Sequence, residues 1–113
     1  MTPEALPTPY DERVLDLVAT IPPGRAVSYG DVAEALGEGG PRQVGRTLRR
    51  YGSGVAWWRV VRADGSAAPG IDVAARSHWA AEAMPRTRDG LRIDLARARP
   101  DLAALGTGER ERA

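Results

Sequence analysis

The segment Pro41-Arg42-Gln43-Val44-Gly45-Arg46-Thr47-Leu48-Arg49-Arg50-Tyr51 sorts its residues onto two opposed faces of a helix. At about 100° per residue, with Arg42 at zero, Arg46 falls near 40°, Arg49 near 340° and Arg50 near 80°. Val44, Leu48 and Tyr51 fall near 200°, 240° and 180°. One face is wholly arginine and the other apolar. The spacing predicts a helix over about 42–50, with Pro41 suited to its first position. Gly45 costs such a helix about 1 kcal/mol and permits close approach of another helix or of a phosphate backbone.

Working upstream, Gly37-Glu38-Gly39-Gly40 ends a preceding helix. That helix starts at Ser28, an N-cap with Asp31 in the capping-box place, and buries Val32, Ala33, Ala35 and Leu36. Pro22-Pro23-Gly24 makes the turn before it. A first helix from Tyr10 carries the apolar stripe Val14, Leu15, Leu17, Val18 and Ile21. Downstream, Gly52-Ser53-Gly54 stops the arginine helix and Val55-Ala56-Trp57-Trp58 reads as a short buried segment. Arg59-Val60-Val61-Arg62 alternates like a strand, Asp64-Gly65 signals a hairpin, and Ala67-Ala68 offers a weak return strand. Ser77 to Met84 predicts a short helix with Trp79 inward. Asp89-Gly90 is a further turn before a short extended Leu91-Arg92-Ile93.

The 113 residues leave room for one domain. We expect a loose lead-in over 1–9, a domain over 10–105 and a frayed polar tail over 106–113. No run approaches about 18 apolar residues, so no membrane span is expected. No secretory signal is visible, which makes the cytoplasm the expected compartment, in association with the nucleoid if the source is bacterial. Cysteine is absent, which excludes a disulfide scaffold, a thiolate metal site and a cysteine nucleophile within this chain. Neither a ligand cluster nor ligand spacing for a metal is present, and no cofactor is expected.

The net charge of +1 hides a sharp asymmetry. Residues 1–40 hold seven acids and two arginines, a net −5. Residues 41–63 hold six arginines and no acid, and residues 64–113 balance eight of each sign. All 16 basic residues are arginine, whose planar fork of donors suits phosphates and base edges. GC-rich codon usage accounts equally well for the missing lysines, but not for the clustering. The whole layout predicts a mostly α domain with a short β-hairpin, resembling a winged helix-turn-helix that presents its basic helix to DNA. A small helical domain with a merely solvated arginine face is the plainer alternative.

Three motifs then resemble one family. Ile21-Pro22-Pro23-Gly24-Arg25-Ala26-Val27-Ser28-Tyr29-Gly30-Asp31-Val32-Ala33 is similar to the signature of the O6-alkylguanine-DNA alkyltransferase C-terminal domain. Pro41-Arg42-Gln43-Val44-Gly45 resembles the start of its recognition helix. Trp57-Trp58-Arg59-Val60-Val61 stands where that family has Cys-His-Arg-Val-Val, so the resemblance puts Trp57 in place of the alkyl-accepting thiol and Trp58 in place of the activating histidine. An indole is no nucleophile for this reaction. The chain therefore resembles the alkyltransferase-like proteins, which lack that cysteine, bind alkylated guanine without repairing it and pass the lesion to nucleotide excision repair.

The resemblance implies residue roles. Arg42 is the finger that fills the gap left by an extruded nucleotide; a phosphate contact is its plainer role. Tyr29 holds the phosphate beside the lesion, although a tyrosine there also suits half-buried core. Gln43, Gly45, Arg46, Arg49 and Arg50 complete the DNA-binding set. Tyr29, Trp57 and Arg59 are placed at the lesion pocket, with Arg59 expected to act mainly structurally. Trp58 and Tyr51 are assigned to core, His78 to structure, and the pocket roof near Gly70 is left open. The implied partners are double-stranded DNA carrying O6-alkylguanine and nucleotide excision repair proteins, bound by a monomer. Two other classes stay open on the residues alone. One is a winged-helix regulator or architectural protein without lesion specificity. The other is a base-flipping enzyme, for which Asp64 and Asp72 are the nearest carboxylates in sequence and neither sits in a catalytic pattern.

Overall fold

A computed structural model describes residues 6–105. The first helix, α1 (Pro9–Val18), opens on a capping box: the Thr8 hydroxyl accepts from Asp11 N at 3.1 Å, and Thr8 N donates to the Asp11 carboxylate at 2.9 Å. Order thus begins inside the segment expected to be a loose lead-in. Thr8-x-x-Asp11 is the signal that the two nearby prolines obscured. Residues 1–5 and the expected tail over 106–113 lie outside the described residues.

Ser28 caps α2 (Tyr29–Leu36) as expected, with Asp31 answering from the third position. Gly37 ends α2 in the left-handed region at φ 75°. Then α3 (Pro41–Tyr51) runs one residue further at each end than the spacing predicts, with Pro41 first. The Gln43 side chain accepts from Gly40 N at 3.0 Å. These three helices contact one another pairwise. Val14, Val18, Val32 and Val44 are fully buried between them, and the arginine face of α3 is left outside. The buried Thr47 hydroxyl donates to Asp11 at 2.5 Å and ties α3 to α1.

The expected β-hairpin does not form. Its turn does: Gly65 N donates to Arg62 O at 2.8 Å and Arg62 N to Ser66 O at 2.9 Å. However, β2 (Val60–Val61) pairs in parallel with β1 (Val27–Ser28), in the register Val27 to Val60 and Ser28 to Val61. Both valines of β2 are buried, as are both residues of β1. Burial on both faces is usual for a parallel pair, and the extended Val27-Ser28 stands between the two cores where β2 also lies. The pair lies between two cores, one of α1–α3 with Val27 and Val60, the other of Ala26, Val61, Trp79, Met84, Ile93 and Leu95.

The next helix, α4 (Asp72–Ala81), begins five residues before the predicted Ser77. Trp79 points inward and is fully buried. A short α5 (Leu95–Ala98), not anticipated from sequence, closes the second core. Ile93 bridges back to Arg86 across the Asp89-Gly90 turn. Arg99 pairs with the capping Asp31 at 2.8 Å, holding the C-terminal part against α2. No helix among the described residues is long and apolar enough to cross a membrane.

Candidate nucleic-acid interface and its cleft

The arginine face of α3 forms one wall of a cleft of about 700 Å³. Arg42, Gly45, Arg46 and Arg49 line that wall. Leu48, Gly52 and Trp57, from α3 and the turns after it, and Arg62, Ala68, Pro69 and Ile71, from the chain beyond β2, complete the lining. Tyr29, first residue of α2, reaches in at the edge. Burial raises the pKa of its phenol, and the nearby positive charges of Arg62 and Arg49 only partly offset this. The hydroxyl is therefore protonated at neutral pH and able to donate a hydrogen bond. An ideal Cβ built on Gly45 would lie 3.9 Å from Tyr29 Cε1, an ordinary contact. Nothing in the protein requires glycine there, so the missing side chain leaves room in the cleft itself.

Behind the cleft, Trp57 is braced by rings. It meets Trp58 edge-on at 5.6 Å and His78 edge-on at 5.7 Å. Trp58 stacks flat on His78, with centroids 3.7 Å apart and planes 7° apart. Trp79 Nε1 donates to Trp58 O at 2.8 Å. Glu82 collects the remaining donors. It accepts from Trp58 Nε1 at 2.8 Å, from Gly24 N at 2.9 Å and from the Arg59 guanidinium at 2.6 Å. Burial raises its pKa, but the hydrogen bonds from Arg59, Gly24 and Trp58 outweigh that and hold the carboxyl below the usual range. The floor thus rests on one ionised carboxylate with every partner supplied.

The sequence from residue 9 to 83 matches the family described as 6-O-methylguanine DNA methyltransferase, DNA binding domain. The chain belongs to that family. A DNA base-flipping protein of Escherichia coli K12 is 43% identical over 60 residues, 50% of this chain and 46% of that protein. A methylated-DNA–protein-cysteine methyltransferase of Methanothermobacter thermautotrophicus is 40% identical over 62 residues, 53% of this chain and 35% of that protein. The matched stretch is thus less than half the length of either relative. The fold is similar to that of S. pombe Atl1 in complex with damaged DNA containing O6-carboxymethylguanine, with a TM-score of 0.71, 22% identity, and coverage of 81% of this chain and 94% of that one. A second S. pombe complex, of ATL with DNA, gives a TM-score of 0.70 at 24% identity, with the same coverage.

In this alkyltransferase-family domain, Tyr29, Arg42, Gly45, Arg46, Arg49 and Trp57 meet at one cleft. Three residues stand elsewhere. Arg59, placed at the lesion pocket but expected to act mainly structurally, lies behind the cleft, donating to Glu82 and, at 2.9 Å, to Ile21 O, and is not among the residues that line it. The 3₁₀ turn Trp57–Arg59 precedes β2, so Arg59 stands outside the strand that its alternation with Val60 and Val61 predicts. Gln43 spends its side-chain oxygen on Gly40 N. Arg50 sits over the Tyr51 ring at 5.8 Å and borders a second hollow that also holds Asp11 and Glu38. Of the α3 arginines it had the largest angle from Arg42, and that angle turns it away from the cleft. Sequence reasoning missed Arg62, Ala68, Pro69 and Ile71 as the rest of the lining and Glu82 as the support. A weak strand preference at Ala67-Ala68, running into Pro69-Gly70, was the available sign that this segment is a loop. No group of three or more potential metal ligands occurs among the described residues.

Proposed function

We propose that this domain is a non-enzymatic sensor of alkylated DNA. In this reading it extrudes an O6-alkylguanine into the cleft, holds it against Trp57, and presents the lesion to nucleotide excision repair. The observation that carries the reading is a largely apolar cleft, floored by an indole and opening beside an arginine wall, in a chain of this family with no cysteine. The relatives named for base flipping and for damaged DNA support it.

The physical steps derive from the cleft. Extruding a base costs a few kcal/mol, and less when the modification weakens pairing. Arg46 and Arg49 offset the cost by neutralising phosphates, an attraction indifferent to sequence. Arg42 is exposed beside the N-terminal Pro41, where its side chain is free to occupy the space the base vacates. The Tyr29 phenol donates to the phosphate next to the lesion. The motif resemblance puts Trp57 at the acceptor position. With no thiol in these 113 residues, the alkyl group stays on the base.

Titration of duplexes with and without O6-methylguanine at one stated salt concentration tests this, together with the mass of the intact protein afterwards. Tighter binding to the lesion with unchanged mass is the expected result. Equal affinity for both duplexes, or a protein mass increased by the alkyl group, overturns it.

A further inference from the structure

Arg62 lines the same cleft as the α3 arginines, from the turn after β2, is exposed, and forms no ion pair among the described residues. Its turn is locked to a second one. Ile93 N donates to Gly65 O at 2.8 Å, and a Cβ on Gly65, at φ +88°, would lie 2.1 Å from Ile93 O. Only glycine permits that approach. The second turn, between Arg86 and Ile93, is closed by Thr87 N donating to Arg92 O at 2.8 Å. Arg92 is exposed on it. Both acids of these turns are engaged locally: Asp64 accepts from Ser66 N and Oγ at 2.9 and 2.6 Å, and Asp89 from Leu91 N and Thr87 Oγ1 at 3.0 and 2.7 Å. The hydrogen bonds from Ser66 chiefly, and then the charges of Arg62 and Arg92, hold the Asp64 carboxyl below its usual range, so the two turns share one electrostatic neighbourhood.

We infer that the Arg62 turn and the Arg92 turn form a second phosphate-binding edge, gripping the DNA backbone beyond the α3 contacts. The inference rests on the DNA-binding reading above and extends its footprint. The sign of the charge suits the occupant. Over 62–66 and 86–92 four arginines (62, 86, 88 and 92) face two acids, and the positive charge continues in the cleft lining with Arg49. A rigid pair of turns suits this use because its arginines are positioned before DNA arrives, and backbone contacts set register without reading sequence.

The test is the salt dependence of binding for Arg62→Ala, Arg92→Ala and the double variant, with Arg46→Ala for comparison. Thermal melts confirm that each variant folds. Each lost phosphate contact should reduce the slope of log K against log salt by about 0.9, and the double variant by about 1.8, equally for lesion and plain duplexes. Arg62→Lys, which keeps the charge, should restore most of the slope. Unchanged slopes for both single variants while Arg46→Ala lowers it would overturn the second edge alone. A change for Arg62→Ala only confines contact to the cleft wall and also overturns the two-turn edge. If Arg46→Ala leaves the slope unchanged as well, it is the DNA-binding reading of α3 that fails.

Discussion

Replacing Gly45 by alanine should make the protein more stable and a worse DNA binder. Gly45 is in the interior of α3, where glycine costs about 0.5–1 kcal/mol relative to alanine. The added methyl would meet Tyr29 Cε1 at 3.9 Å and Cδ1 at 4.0 Å, within ordinary van der Waals range, so no strain cancels the gain. A stabilisation of about 0.5–1 kcal/mol should therefore appear, or roughly 2–6 °C in Tm for a domain of this size. The same methyl enters the cleft wall between Arg42, Arg46 and Arg49. If the DNA backbone approaches α3 there, the methyl displaces one charge-assisted hydrogen bond, worth about 1.5–3 kcal/mol, and affinity falls by about tenfold or more. Urea unfolding gives the first quantity and equilibrium titration with duplex DNA the second. Lower stability would mean that the helix is packed more tightly at Gly45 than the structure shows. Higher stability with unaltered DNA affinity would refute the close-approach argument, leaving the glycine without a role.

Arg42→Ala should weaken binding to O6-methylguanine DNA by about 1–3 kcal/mol more than binding to plain DNA, because a finger stabilises only the extruded state. Equal losses, with an unchanged signal from a fluorescent base at the lesion position, would make Arg42 a backbone contact. Glu82→Ala should cost about 2–3 kcal/mol in urea unfolding, below the figure for a fully buried pair, since it leaves the part-buried Arg59 guanidinium, whose side chain is 14% exposed, without its carboxylate. The folded pKa of Glu82 is depressed, so its contribution is fully present above the unfolded carboxylate value of about 4.3 and is lost as pH falls through the folded value. Urea midpoints measured from pH 7 down to 3 should fall less steeply for Glu82→Gln than for the parent; parallel curves would contradict the linkage. Trp57→Cys should leave O6-methylguanine unrepaired at any efficient rate, because Trp58 offers no base to ionise the thiol and the neighbouring His78 ring is stacked flat on Trp58. Rapid gain of one methyl in protein mass would show that some other group activates it.

The helical half of the fold was legible because its signals are local. A capping residue, a stripe of apolar positions and a proline at the first helical place all act within one or two turns, and Ser28, Val14 and Pro41 sit where those rules put them. The arginine face was equally legible, since its geometry is fixed by the helical period alone. Sheet pairing was not. Val60-Val61 carries no information about whether its partner lies seven residues ahead or thirty-three behind, and the pair that forms is the buried one with Val27-Ser28. The same limit applies to Arg59. Its spacing suits an exposed strand, yet its charge is satisfied by Glu82, twenty-three positions later, a pairing that no local rule encodes. The rest of the cleft's lining was invisible for a related reason. Ala68, Pro69 and Ile71 have no distinctive chemistry until the turn at Gly65 docks on Ile93 and α4 anchors the chain beyond them.

A crystal structure of this chain on a duplex carrying one O6-methylguanine would decide whether the domain extrudes the lesion. The methylated base should be rotated out of the helix and lie in the cleft against Trp57, with Arg42 in the vacated stack, Tyr29 on the adjoining phosphate, and the methyl group still on guanine O6. A methylated base still stacked in the duplex, with α3 resting on the backbone and the cleft filled only by water, would contradict it.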